Sequence, residues 1–122
     1  MPLTKAVVSL IVKDHDAPRY FVERLFAVIR SRVGADPASS YTAKLLSQGK
    51  LKIAKKLGEE AVETALAAVA QDTACLTAES ADLLYHLLVL WAACGISPDD
   101  VYAALDARTG RSGLDEKAAR ES

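Results

Sequence analysis

The stretch that most restricts the fold is ESADLLYHLLVLWAAC, residues 79–94. From Leu83 onward it is apolar nearly all round, and Gly95 stops it. A helix without a polar face must be surrounded by protein, so other helices have to wrap this one. The same segment opens with Glu79 and Asp82, and carboxylates on a helix bound for burial need a partner. The fold must therefore supply both a jacket for the apolar half and an answer to the two acids.

The remaining periodicity supplies the jacket. Apolar residues Phe21, Leu25, Val28, Ile29 and Val33 recur at three- and four-residue spacing, which predicts a helix over 20–33. The loop GADPASS follows, with Ser39 or Ser40 placed to cap a short helix over 40–48 that Gly49 closes. A long helix is predicted over 50–71, with an apolar stripe of Leu51, Ala54, Leu57 or Gly58, Ala61 or Val62, Ala65 and Val69. Asp72 or Thr73 caps the next helix, over 73–94. Ser97, Pro98, Asp99 and Asp100 give agreeing start signals for a fifth. Aromatic residues are only 6% of the chain while Ala and Leu abound, which also favours helices over strands. The expected fold class is all-α, a bundle of about five helices. In 122 residues such a bundle buries a modest core, and a second copy of the chain is expected to cover part of the apolar fourth helix.

Residues 1–18 are read as an N-terminal appendage, a short element packing on the helical domain of residues 19–122. AVVSLIV lacks the flanks of a secretory signal. The tail TGRSGLDEKAARES has two glycines and mixed charge and is expected to be loop-like. Net charge is −1, which points away from nucleic acid and anionic membranes as partners, and no apolar run is long enough for a membrane span. Cys75 and Cys94 form no Cys-x-x-Cys pattern and are expected to be reduced packing residues, in a cytoplasmic protein.

The chemistry lies in two acidic pairs. The third helix carries Glu60-x-x-Glu63, with Glu59 just before; the fourth carries Glu79-x-x-Asp82. Residues three apart on a helix point the same way, with Cβ atoms roughly 5–6 Å apart. The short QDT turn favours antiparallel packing, and counting from it puts the two pairs at similar depth. Two unit charges about 4 Å apart repel by roughly 4 kcal/mol at an effective dielectric of 20. Oxygen-only ligands suit Mg²⁺, with Mn²⁺ as the alternative, rather than Zn²⁺. Taken singly, Glu59 and Glu60 read better as solvated partners of Lys55 and Lys56, four residues earlier; two pairs at matching depth favour the metal. Lys44, Lys50, Lys52, Lys55 and Lys56 cluster upstream, where a polyphosphate bridged to Mg²⁺ would want donors, although a solvated basic face explains any one of them. His86, four residues after Asp82, reads as a packed, hydrogen-bonded core histidine that could also orient a carboxylate or water. Tyr85 and Trp91 read as core or interface.

The segments SYTAKLL, KIAKKLGEEAVETALAA, ESADLLYHLLVLWA and GISPDDVYAAL, in that order, resemble the phosphoribosyl-ATP pyrophosphatase family of histidine biosynthesis, with SGLDEKAAR similar to its terminal signature. The wider relatives are all-α MazG-like and dimeric dUTPase-type pyrophosphohydrolases. The resemblance implies a bundle that dimerises through its long helices. It also implies Mg²⁺-dependent hydrolysis of the α–β phosphoanhydride of 1-(5-phosphoribosyl)-ATP, the pathway's second step. Mapped here, it implies Glu60, Glu63, Glu79 and Asp82 as metal ligands and Glu59 as ligand or water-orienting base. Lys44, Lys52, Lys55 and Lys56 become the phosphate-binding candidates, assigned by position. The chain looks like the stand-alone form, with the cyclohydrolase that takes the product as a separate protein. The competing expectations are a housekeeping pyrophosphohydrolase for other nucleotides and a non-enzymatic helical oligomerisation module.

Overall fold

The computed structural model describes residues 20–109 and residue 120. The expected appendage at 1–18 and all but two residues of the expected tail lie outside them. The ordered elements are α1 (Phe21–Ser31), α2 (Tyr41–Ser47), α3 (Lys50–Val69), α4 (Thr73–Cys94) and α5 (Pro98–Asp106), with no strand among the described residues. The all-α bundle expected from periodicity is what forms.

The helix ends follow local chemistry. Ser40 caps α2 by accepting from the Ala43 N–H, and Asp72 caps α4 by accepting from the Cys75 N–H. Ser97 and Asp100 form a reciprocal capping box at the start of α5, with Pro98 in its first turn. Gly95 ends α4 in the left-handed region at φ 75°, while the Ile96 N–H returns to the Trp91 carbonyl at 3.0 Å.

The framework is an α3–α4 hairpin, with α1 packed on α4, α2 on both long helices and α5 on α1. Thr64 meets the Glu79 backbone and Glu60 meets Asp82, a pairing of rising with falling residue numbers that makes the two long helices antiparallel. The core is centred on α4: Tyr85, Leu88, Val89 and Ala92 pack with Leu25, Phe26 and Ile29 of α1, Leu45 of α2 and Ile53 of α3. Fully burying each large aliphatic side chain contributes roughly 1.5–3 kcal/mol. Truncating Leu88 or Ile29 to alanine would cost about 2–5 kcal/mol.

The α3 stripe needs correction. Within this chain α3 buries Ile53, Glu60 and Ala67. Leu51 and Val69, the ends of the expected stripe, are 87% and 80% exposed. At about 100° per residue the two sets fall on opposite sides of the helix. The apolar stripe is present, but it faces away from α4. The cysteines also differ from expectation: both are free thiols, as read, but both are exposed rather than packed.

Candidate functional site

The hairpin brings three of the four paired acids together. One carboxylate oxygen each from Glu60, Glu79 and Asp82 lie within 4.8 Å of one another. Glu60 and Asp82 are buried and Glu79 half-buried. The backbone at this level is tied across the helices by Thr64, whose hydroxyl is 2.7 Å from the Glu60 carbonyl and 3.2 Å from the Glu79 carbonyl. One hydroxyl proton serves one of these at a time, so Thr64 sits as a shared donor between the two acid-bearing turns.

Glu79 is where the charge conflict concentrates. Its Oε2 is buried, and no donor among the described residues reaches it. Burial, then the Glu63 carboxyl, then the Glu60 carboxyl push its pKa up from the ordinary 4.5. Glu63 thus lies against Glu79, although it is exposed and outside the group of three. Glu59 is exposed and also outside that group.

His86 is fully buried, and its Nδ1–H donates to the Asp82 carbonyl at 2.7 Å. That bond places a proton on Nδ1, and Nε2 faces the Tyr41 hydroxyl at 3.4 Å. The packed, hydrogen-bonded reading of His86 is the one the structure takes. Tyr85 is core, its hydroxyl bonded to that of Thr42, and burial raises its pKa to about 12.

Beside the acids runs an open cleft of about 280 Å³ lined by Tyr41, Lys44, Leu45, Gln48, Lys52 and Lys56. Three of the four lysines expected at phosphate thus share one wall. Lys55 does not line it; it is exposed, and at about 100° per residue it falls towards the outward apolar stripe. Lys50 lines a different cavity, with Val33 and Ala92.

Tyr41 and Thr64 are the residues that sequence reasoning missed. A tyrosine heading an amphipathic helix reads as core, and a threonine inside a helix reads as filler. Only the crossing of α2 and α3 against α4 gives either a role. The three-residue acidic spacing was the signal that could be read in advance.

A buried acidic cluster on an antiparallel helical hairpin, with a lysine-lined cleft alongside, defines the class: an all-α bundle built round facing carboxylate pairs. A family model described as phosphoribosyl-ATP pyrophosphohydrolase matches residues 22–109, and the chain belongs to that family. It is 59% identical over 99 residues to a phosphoribosyl-ATP pyrophosphatase of Paramagnetospirillum magneticum, covering 81% of this chain and 91% of that one. It is 63% identical over 99 residues to one from Parvibaculum lavamentivorans, covering 81% and 91%. A third, from Caulobacter vibrioides, is 61% identical over 99 residues, covering 81% and 92%. No single helix among the described residues is long and apolar enough to cross a membrane.

Proposed function

We propose that this protein hydrolyses the α–β phosphoanhydride of 1-(5-phosphoribosyl)-ATP, giving 1-(5-phosphoribosyl)-AMP and pyrophosphate, as the second step of histidine biosynthesis. The observation that carries the chemistry is the convergence of Glu60, Glu79 and Asp82 beside a cleft with three lysines. The names of the relatives support the substrate.

The donor set suits a hard divalent cation, Mg²⁺ with Mn²⁺ as the alternative. All ligands are carboxylate oxygens, and a spread of up to 4.8 Å is close to the roughly 4.2 Å across an octahedron with 2.1 Å bonds. The donorless Glu79 Oε2 points the same way. Glu60, Glu79 and Asp82 would hold the ion, with Glu63 completing the set from beside Glu79. When bound, it supplies neutralisation of phosphate charge and activation of water.

The chain's own residues do the rest. Lys44, Lys52 and Lys56 bind phosphate oxygens along the cleft wall and offset the charge that grows on the departing pyrophosphate. Glu59, outside the acidic group, accepts the proton of the attacking water. Thr64 and His86 hold the Glu60, Glu79 and Asp82 backbone in register, so that the acids stay converged. The outward stripe of α3 serves a homodimer formed through the long helices, in the cytoplasm.

The test is pyrophosphate release from phosphoribosyl-ATP, with dUTP and ATP alongside, with and without Mg²⁺. Turnover of phosphoribosyl-ATP that needs Mg²⁺ and is lost in Asp82→Ala and Glu63→Ala, with helicity kept, is the expected result. Preference for dUTP or ATP would sink the substrate assignment. Near-normal turnover by either variant would sink the metal assignment.

A further inference from the structure

Tyr41 stands at the junction between the acidic cluster and the basic cleft. It is the first residue of α2, whose start is fixed by the Ser40 cap and by the Thr42–Tyr85 hydroxyl pair. Its ring stacks on Tyr85 with centroids 6.3 Å apart and meets the edge of His86 at 6.4 Å. The side chain is half-buried, and it lines the cleft together with Lys44, Gln48, Lys52 and Lys56. Burial first, then Glu60 and Asp82, raise the pKa of its hydroxyl, so it remains a protonated donor at neutral pH.

Among the described residues, the hydroxyl's bond is the long 3.4 Å contact to His86 Nε2. The Nδ1 proton of His86 is committed to the Asp82 carbonyl, so only Nε2 is left to face the Tyr41 hydroxyl. A donor held that loosely is free to turn to a better acceptor. Charge logic says what that acceptor is. An anionic oxygen approaching the carboxylates needs a donor there, but a lysine in that place would pair with Glu60 instead. A neutral phenol can donate to an anion without being captured by the acids.

We infer that the Tyr41 hydroxyl is a substrate-binding group that donates to a phosphate oxygen where the lysine cleft meets the acidic cluster. The inference rests on the proposed function and adds to it a neutral donor that the set of charged residues leaves out. The competing role for Tyr41 is packing alone, against Tyr85 and His86.

Tyr41→Phe separates the two, because it keeps the ring and removes only the hydroxyl. The variant is expected to unfold at a temperature close to that of the parent protein. Its kcat/KM for phosphoribosyl-ATP should fall roughly 10- to 100-fold, the range for one hydrogen bond to a charged group. Its dissociation constant for magnesium pyrophosphate, measured by calorimetry, should rise at least about fivefold. Unchanged values for both would overturn the inference. A parent protein that does not hydrolyse phosphoribosyl-ATP would overturn the functional reading, and the pyrophosphate titration would still decide Tyr41. If the parent protein neither hydrolyses the substrate nor binds magnesium pyrophosphate, both ideas fall.

Discussion

At the scale of single residues, Glu79 carries a cost that a cation would remove. Its folded-state pKa is raised by burial and by the Glu63 and Glu60 carboxyls, so the folded chain holds that proton more tightly than the unfolded chain does. The associated stability is fully present below the ordinary value of 4.5 and is lost as pH rises through the raised value. Metal-free protein at pH 7.5 should therefore be less heat-stable than its Glu79→Gln variant, and the gap should close as the pH falls towards 4.5. Millimolar Mg²⁺ should stabilise the parent protein and leave Glu79→Gln nearly unmoved. Differential scanning calorimetry across pH, with and without Mg²⁺, checks all three outcomes; a parent protein more stable than the variant in neutral, metal-free buffer would contradict the assignment of strain to Glu79. Thr64 offers a second residue-scale check. Replacing it with valine removes the shared donor while keeping the shape. The cost should be about 1 kcal/mol in chemical denaturation, with weaker Mg²⁺ affinity, and Thr64→Ser should restore both.

At the scale of elements, the α3–α4 hairpin turns on a residue that is conformationally unsuited to its place. Gln71 adopts φ 57°, the only non-glycine at positive φ among the described residues. It does so to let the Asp72 N–H reach back to the Ala67 carbonyl at 3.3 Å while Asp72 caps α4. A side chain there costs roughly 1–2 kcal/mol, part of which a glycine returns by gaining freedom when unfolded. Gln71→Gly should raise stability by about 0.5–1 kcal/mol in urea unfolding without changing activity; a loss of stability would show that the Gln71 side chain contributes more than its backbone strain costs. This turn also shows what the chain reveals in one dimension. The caps at Ser40, Asp72 and Ser97, the stops at Gly49 and Gly95 and the opposed acidic pairs are local or follow from counting along one hairpin, so they were readable in sequence. The facing direction of α3 was not. Its outward side has Leu51, Val62 and Val69, whereas its inward side includes the charged Glu60. Hydrophobic periodicity picks the more apolar side, and here the site chemistry has claimed the other one.

At the scale of the whole molecule, that reversed preference becomes an argument about assembly. A chain of 122 residues has a limited core, yet α3 displays Val62, Leu66 and Val69 at 60%, 62% and 80% exposure. Their spacing of four and three residues puts them on one stripe, with Ala65 and Gly58 leaving room for close approach. Single exposed apolar residues are ordinary, but a continuous helical stripe marks an interaction surface. Under the homodimer proposed above, this stripe on the helix that bears Glu60 would be the contact. The parent protein should sediment as a dimer at micromolar concentration. Leu66→Asp would place an unpaired charge in that contact and should weaken association roughly 100-fold or more. A lower unfolding temperature, reduced Mg²⁺ affinity and intact helicity should accompany the change. A parent protein that sediments as a monomer, or a Leu66→Asp variant that still dimerises with parental affinity, would move the contact elsewhere and leave the outward face of α3 without this role.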